Sequence, residues 1–208
     1  MKKLAFTTAL LLSLTATHAQ DSKPALPDFK PEIYKSEWAT LSGLIKTEKW
    51  VDADKLTASF YDRVKSDEYR KDDAAILRYT MLNVVAAELA DGVIDNEAAL
   101  KKLEPLEGKR FISPTFTFKS KGILNYLLLA SDGKSWIKCT TNKVADVIQM
   151  AENFEVAHPE MLQGTEKYDN RNFRLSGTIK TIKADSRAKP HLEVSYANTE
   201  IWDISPID

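Results

Sequence analysis

The first half of the chain repeats apolar residues every three or four positions, which is the period of an amphipathic helix. This spacing predicts four helices within residues 36–105. Residues that commonly cap helices precede three of them, namely Ser36, Asp72 or Asp73, and Asp95. The third helix is apolar on most of its sides, so it is expected to lie centrally and to be covered all round.

From Gly108 onward the period changes to two, which is typical of strands. Asp132-Gly133 is a strong signal for a hairpin turn. Residues 144–154 return to a helical spacing, so one helix is expected between the strands. Pro114 and Gly122 interrupt the first strand and predict a bend or bulge in it. The strands are predicted near residues 111–124, 126–130, 135–141, 173–179 and 192–204.

The first nineteen residues have the layout of a secretory signal peptide. Lys2 and Lys3 precede an apolar stretch over residues 4–14, and Thr17 and Ala19 place small residues before a cut at Gln20. We therefore expect an exported protein, periplasmic or secreted, with no transmembrane segment after cleavage. Residues 20–35 contain three prolines and predict an extended linker.

The composition is that of an ordinary globular protein, with 43% hydrophobic residues and a formal net charge of -1. Cys139 is the only cysteine, so no internal disulfide is possible, and its place in a predicted strand favours a buried structural role. The near-neutral charge lacks the strong phosphate attraction of a dedicated nucleic-acid binder.

Residues that commonly carry catalysis are few in the chain. After the leader the histidines are His158 and His191, which are far apart and have no metal-binding spacing. Ser176-Gly177 lacks the flanks of a nucleophile elbow, and there is no glycine-rich phosphate loop. We therefore expect no catalytic residue, no metal and no cofactor, and these absences favour a non-enzymatic protein while leaving an enzyme as an alternative.

The helical part resembles tetratricopeptide-like repeats, because Trp38, Leu41 and Gly43 approximate the first helix of that repeat. Ala53 and Phe60 fall about one position away from the pattern of its second helix. A plain four-helix unit is the alternative to a repeat array.

The second half resembles the oligonucleotide/oligosaccharide-binding (OB) fold, a small five-stranded barrel. The resemblance rests on "FRLSGTIKTIK" followed by "HLEVSYANTEIWDI", as in exported bacterial OB-fold proteins and anticodon-binding-like OB families. It implies an α+β protein in which helical hairpins precede a small five-stranded OB-like β-barrel with one helix. The expected domains are a signal peptide (1–19), a linker (20–35), a helical domain (36–105) and the barrel domain (106–208).

The resemblance also implies a binding face, since OB barrels stack and pair ligands on aromatic and basic side chains of their strands. Trp136 and Lys138 share one face of a strand, and Ile137 and Cys139 share the other, so one of the two sets must face outward. If Trp136 faces outward, it is a binding platform, and otherwise its face is core. The candidate ligand-binding residues are Phe118, Lys119, Tyr126, Trp136, Lys138 and Arg174.

Three functions follow from these observations. The first is a non-enzymatic binding or scaffold protein of the bacterial cell envelope, with a protein or glycan partner and an unknown ligand. The second is nucleic-acid binding by the barrel. The net charge and the export signal argue against it. The third is an extracytoplasmic hydrolase with a site between the two domains, which would require convergent carboxylates in a cleft.

Overall fold

A computed structural model of the chain describes residues 35–118, 127–129, 134–143, 147–158, 168–186 and 189–204. The predicted signal peptide and nearly all of the predicted linker lie outside these residues. Short 3-10 turns precede the third helix (Glu68–Arg70) and follow the fourth (Glu104–Leu106). The helices are α1 (Lys35–Lys46), α2 (Trp50–Val64), α3 (Lys71–Ala90) and α4 (Asn96–Leu103).

The helix ends follow the local chemistry of the sequence. The Asp95 carboxylate accepts a hydrogen bond of 2.8 Å from the backbone N–H of Ala98, which confirms the predicted cap of α4. The N-cap position of α3 is Arg70, whereas Asp72 and Asp73 lie in its first turn. Carboxylates in a first turn stabilise a helix through its dipole, so their contribution there does not require a capping position.

The strands form one mixed sheet in the order β1-β6-β7-β5-β4-β3, and β2 also pairs with β6. The ladder between β5 and β7 is parallel, whereas the other ladders are antiparallel. The strands are β1 (Arg110–Ile112), β2 (Phe116–Thr117), β3 (Leu127–Leu129), β4 (Ser135–Thr141), β5 (Ile148–Val156), β6 (Asn172–Asp185) and β7 (His191–Asp203).

One stretch of chain supplies both edges of this sheet. Strands β1, β2 and β3 all come from residues 110–129, so five segments of chain build the sheet. The predicted α+β class, with helices first and strands second, is confirmed. The sheet is open rather than a closed barrel, because within the described residues β3 does not pair with β1 or β2.

The helix predicted at residues 144–154 is wrong, because residues 148–156 form strand β5. Met150, Glu152, Phe154 and Val156 alternate toward the interior, and each is buried. Glu152 interrupts the apolar alternation, since a charged residue at an inward position makes the period of two hard to recognise.

Helix α3 lies between the α1–α2 pair and the sheet, which confirms its predicted central position. On one side Ala74, Leu77 and Val84 pack against α1 and α2. On the other side Leu82 and Leu89 join the buried residues of the sheet in the largest hydrophobic cluster. Full burial of one leucine side chain contributes about 1.5–3 kcal/mol, so both faces of α3 stabilise the fold.

Gly177 permits a close approach of strands β6 and β7. A Cβ atom at this position would lie 2.8 Å from the carbonyl oxygen of Ala197 and 3.1 Å from a ring carbon of Phe111. The ladder between the two strands shifts register here, between Ser176 and Thr178. A side chain at position 177 would therefore force the strands apart.

Within the described residues, no helix has both the length and the apolar character that crossing a bilayer requires.

Candidate functional site

Two of the three aromatic residues predicted to bind a ligand, Phe118 and Trp136, lie in the interior. Phe118 and Trp136 are each 1% exposed, and their ring centroids are 5.2 Å apart. Phe173 packs edge-on against both rings. The three rings form an aromatic cluster in the core, where such contacts stabilise the fold.

Strand β4 resolves the choice between its two faces. Trp136 and Lys138 point inward and are buried, whereas Ile137 is 40% exposed and Cys139 is partly exposed. Trp136 is therefore not an outward platform, and Cys139 is not a buried structural cysteine. Lys119 and Tyr126 lie outside the described residues. Ligand binding by these predicted residues stays a prediction.

Lys138 belongs to a buried polar network inside the sheet. Its ammonium Nζ lies 2.7 Å from Oε2 of Glu152 and 2.5 Å from Oγ1 of Thr140. Lys138 is 6% exposed and Glu152 is 1% exposed. Two opposite charges so well removed from water are tolerated because each satisfies the other.

Two tyrosines complete this network from other elements. Tyr79 of α3 and Tyr196 of β7 donate their hydroxyl hydrogens to Oε1 of Glu152, at 2.7 Å and 2.9 Å. Burial raises the pKa of both tyrosines well above the usual value of a phenol, and the charge of Glu152 raises each pKa further. Both phenols therefore remain hydrogen-bond donors at physiological pH.

The network joins four elements and leaves Glu152 little capacity for chemistry. One carboxylate oxygen accepts two phenol hydrogen bonds, and the other accepts from Lys138. A catalytic carboxylate must reach a substrate or a water, whereas this one is enclosed on every side. We conclude that the network fixes α3 against β4, β5 and β7.

Cys139 lies beside this network on the opposite face of β4. Burial raises the pKa of the Cys139 thiol, and the charge of Glu152 raises it further, whereas Lys138 lowers it. A thiol with a raised pKa is less often a thiolate, so Cys139 is a weak nucleophile.

A cleft opens between α1, α3 and the connection from β1 to β2. Its volume is about 460 Å³, and Tyr79 contributes to its wall. Trp38, Leu41 and Ile45 of α1 form an apolar side. The cleft therefore combines a shape and an apolar lining that suit a small organic molecule.

Arg174 gives this cleft its charge. The Nε atom of Arg174 is buried and has no hydrogen-bond partner. Lys46 also lines the cleft, and none of its described lining residues is an aspartate or a glutamate. The described lining of the cleft is thus positive as well as apolar, and it includes an arginine whose Nε has no acceptor.

The sequence predicted both Arg174 and Lys138 as ligand-binding residues. It did not indicate that their roles differ, and it did not predict the residues that surround them. Tyr79, Glu152 and Tyr196 come from three distant parts of the chain, and no spacing connects them. The cleft likewise joins α1 to a strand more than a hundred residues later in the sequence. The signal that the sequence did contain was a charged residue within an otherwise apolar strand, namely Lys138 in β4 and Arg174 in β6.

Comparison with known proteins gives no relative: no protein-family model, no curated protein and no solved structure matches this chain.

Proposed function

We propose that the protein is a non-enzymatic binding protein whose ligand is a small amphiphilic anion, held in the cleft between α1, α3 and Arg174. The observation that carries the proposal is Arg174, which lines an apolar cleft and whose buried Nε has no hydrogen-bond partner.

The energetics of Arg174 favour an anionic group in the ligand. A buried donor without a partner costs about 1–3 kcal/mol. A carboxylate, sulfonate or phosphate oxygen at this position would accept the hydrogen bond, and the planar guanidinium suits two such bonds in parallel. Lys46 adds a second positive charge, and no carboxylate among the described lining residues opposes it.

The rest of the ligand is expected to be apolar. A volume of about 460 Å³ lies within the range typical of small-molecule sites, roughly 300–1,000 Å³. Trp38, Leu41 and Ile45 present hydrophobic surface to this space. Covering that surface would stabilise the complex by about 25 cal/mol for each Å² removed from water.

The proposed fold of the second half is OB-like. The parallel pair of β5 and β7, and the stretch 110–129 that supplies both edges of the sheet, are compatible with that topology. OB barrels serve many functions, so the fold alone does not select a ligand. The described lining of the cleft contains no aspartate or glutamate and Glu152 is enclosed, so neither supplies the convergent carboxylates that a hydrolase would need there.

The proposed location is the bacterial cell envelope or the medium, on the strength of the leader pattern in residues 1–19. Mass spectrometry of the protein from a bacterial host tests this part separately. A mature chain that begins at Gln20 is expected, and an uncleaved chain that stays in the cytoplasm would contradict it.

The cleft is tested with 1-anilinonaphthalene-8-sulfonate, a fluorescent aromatic amphiphile that carries one sulfonate. The dye is titrated into the folded protein and then displaced with decanoate or with decyltrimethylammonium. The variants are Arg174→Met and Lys46→Met. Lys180→Met is the matched control, because Lys180 lies on the same strand as Arg174 but pairs with Glu155 on the surface.

Arg174→Met is expected to weaken dye binding about tenfold or more, since hydrogen bonds to charged groups contribute about 1.5–3 kcal/mol. Lys46→Met should weaken it less, and Lys180→Met should leave it unchanged. Decanoate should displace the dye better than decyltrimethylammonium does. Equal affinities of the wild type and Arg174→Met, or equal displacement by the two surfactants, would overturn the proposal.

A further inference from the structure

Three residues that commonly bind metals lie together where strands β6 and β7 meet their connecting loop. Asp185 of β6 is directly opposite His191 of β7. Glu193 follows His191 by two residues, so it lies on the same face of the strand. One candidate ligand atom from each of the three residues lies within 4.8 Å of the others.

A hydrogen bond of the imidazole ring points to a ligand as well. Nδ1 of His191 lies 3.0 Å from the carbonyl oxygen of Lys189. A carbonyl only accepts, so Nδ1 carries the hydrogen in this contact and Nε2 of a neutral ring has the free lone pair. Histidines that bind metals usually have this arrangement, in which the second ring nitrogen donates to a carbonyl or carboxylate.

We propose that Asp185, His191 and Glu193 form a zinc site. One imidazole nitrogen and two carboxylate oxygens are a ligand set that zinc accepts, with a water molecule as the fourth ligand. Calcium and magnesium prefer oxygen ligands alone, so the histidine favours a transition metal over both. The two carboxylates would balance the charge of the divalent ion.

The geometry requires only a small adjustment. Zinc binds nitrogen and oxygen ligands at about 2.0–2.2 Å, which places tetrahedral ligand atoms about 3.4 Å apart. The present separations are at most 4.8 Å, and all three side chains are partly exposed. The ladder between Asp185 and His191 holds the two backbones in place. Lys183 is the cross-strand neighbour of Glu193, so its positive charge would compete with a metal ion for the Glu193 carboxylate.

Zinc at this position would tie the two strands together beside their loop. Binding to the folded state alone raises stability with ligand concentration, so the melting temperature should depend on zinc. The proposed site shares no residue with the cleft that contains Arg174, so the zinc site and the cleft can be tested independently of each other.

The test uses purified, tag-free, metal-stripped protein, because a histidine tag would itself bind zinc. Zinc chloride is titrated by calorimetry at pH 7.5, and cobalt(II) is titrated with visible absorption as a readout of tetrahedral coordination. The variants are His191→Ala, His191→Gln and Asp185→Asn. His158→Ala is the matched control, since His158 is exposed and lies outside the cluster.

The wild type is expected to bind one zinc ion per chain and to melt at a higher temperature with zinc. Each variant of the cluster should bind at least about tenfold more weakly and lose the shift in melting temperature. His158→Ala should behave as the wild type. The proposal is overturned if the wild type fails to bind at millimolar zinc, or if His191→Ala and His191→Gln bind as tightly as the wild type.

Discussion

Lys138 and Arg174 are two cations of the same sheet with opposite surroundings. Lys138 is 6% exposed, and its ammonium contacts Glu152 and Thr140. Arg174 is partly buried, and its Nε has no hydrogen-bond partner. The sequence presents both as equivalent candidates for ligand binding.

The difference between them separates structure from binding. The charge of Lys138 is balanced by a carboxylate of the chain itself, so Lys138 contributes to the stability of the fold. The positive charge of Arg174 has no such partner within the described residues, so an external anion is the natural complement. Variants of the two sites should therefore affect different measurements.

The largest effect is expected from Glu152→Ala. Removing the carboxylate leaves Lys138 charged and buried without its partner, and leaves both phenol donors without an acceptor. The free energy of unfolding, measured with urea, should fall by about 3–5 kcal/mol. Glu155→Ala, on the exposed side of the same strand, should cost less than about 1 kcal/mol. Similar losses for the two variants would show that the network is not stabilising.

The second prediction concerns alkaline pH. The pKa values of Tyr79 and Tyr196 are raised in the folded state, whereas tyrosines of the unfolded chain ionise near pH 10. The stabilisation is complete below pH 10 and is lost as the pH rises above it, because only the unfolded chain releases these protons. Each tyrosine should contribute a slope of about 1.4 kcal/mol per pH unit.

Urea unfolding between about pH 10 and 11.5 measures this slope. The double variant Tyr79→Phe with Tyr196→Phe should have a clearly flatter dependence. Tyr69→Phe is the control, because Tyr69 is 99% exposed and its variant should keep the wild-type slope. An unchanged slope in the double variant would mean that these phenols ionise in the folded protein.

The third prediction compares the two cations directly. Lys138→Met should destabilise the fold by about 3–5 kcal/mol, because Glu152 then remains charged and buried without its ammonium partner. Arg174→Met should change the free energy of unfolding by less than about 1 kcal/mol, since no hydrogen bond of Nε is lost. A large loss in Arg174→Met would assign Arg174 to the fold rather than to a ligand.

The smallest effect is expected from salt. Raising sodium chloride from about 0.05 M to about 0.5 M should weaken binding of the anilinonaphthalene dye about threefold, because the open cleft is screened. The destabilisation caused by Glu152→Ala should change by less than about 0.5 kcal/mol, since a buried pair is poorly screened. If the dye affinity of both the wild type and Arg174→Met is independent of salt concentration, the dye is bound by apolar contacts alone.

The helical half was predictable because its signals are local. The apolar spacing and the Asp95 cap act within one or two turns of helix, and both agree with the structure. The all-round apolar character of α3 was sufficient to predict that it lies between two layers. These features require no knowledge of distant partners.

The sheet was harder because charged residues occupy inward positions. Lys138 makes the buried face of β4 look polar, and Glu152 obscures the alternation of β5, which was predicted to be a helix. Such residues are stable inside only when partners from other strands and from α3 are present. A prediction made from one segment at a time has no information about those partners, so neither the network nor the cleft could be predicted.

Strand β7 has a consequence for the order in which the protein can assemble. It is the last described strand, yet it lies in the middle of the sheet between β5 and β6. A chain that emerges from its N-terminus exposes α3 long before Tyr196 and the parallel partner of β5 are available. The interior can close only once residues up to about 203 have emerged. Until then a nearly complete chain keeps apolar surface open to chaperones and proteases, and any truncation before β7 would leave it in that state.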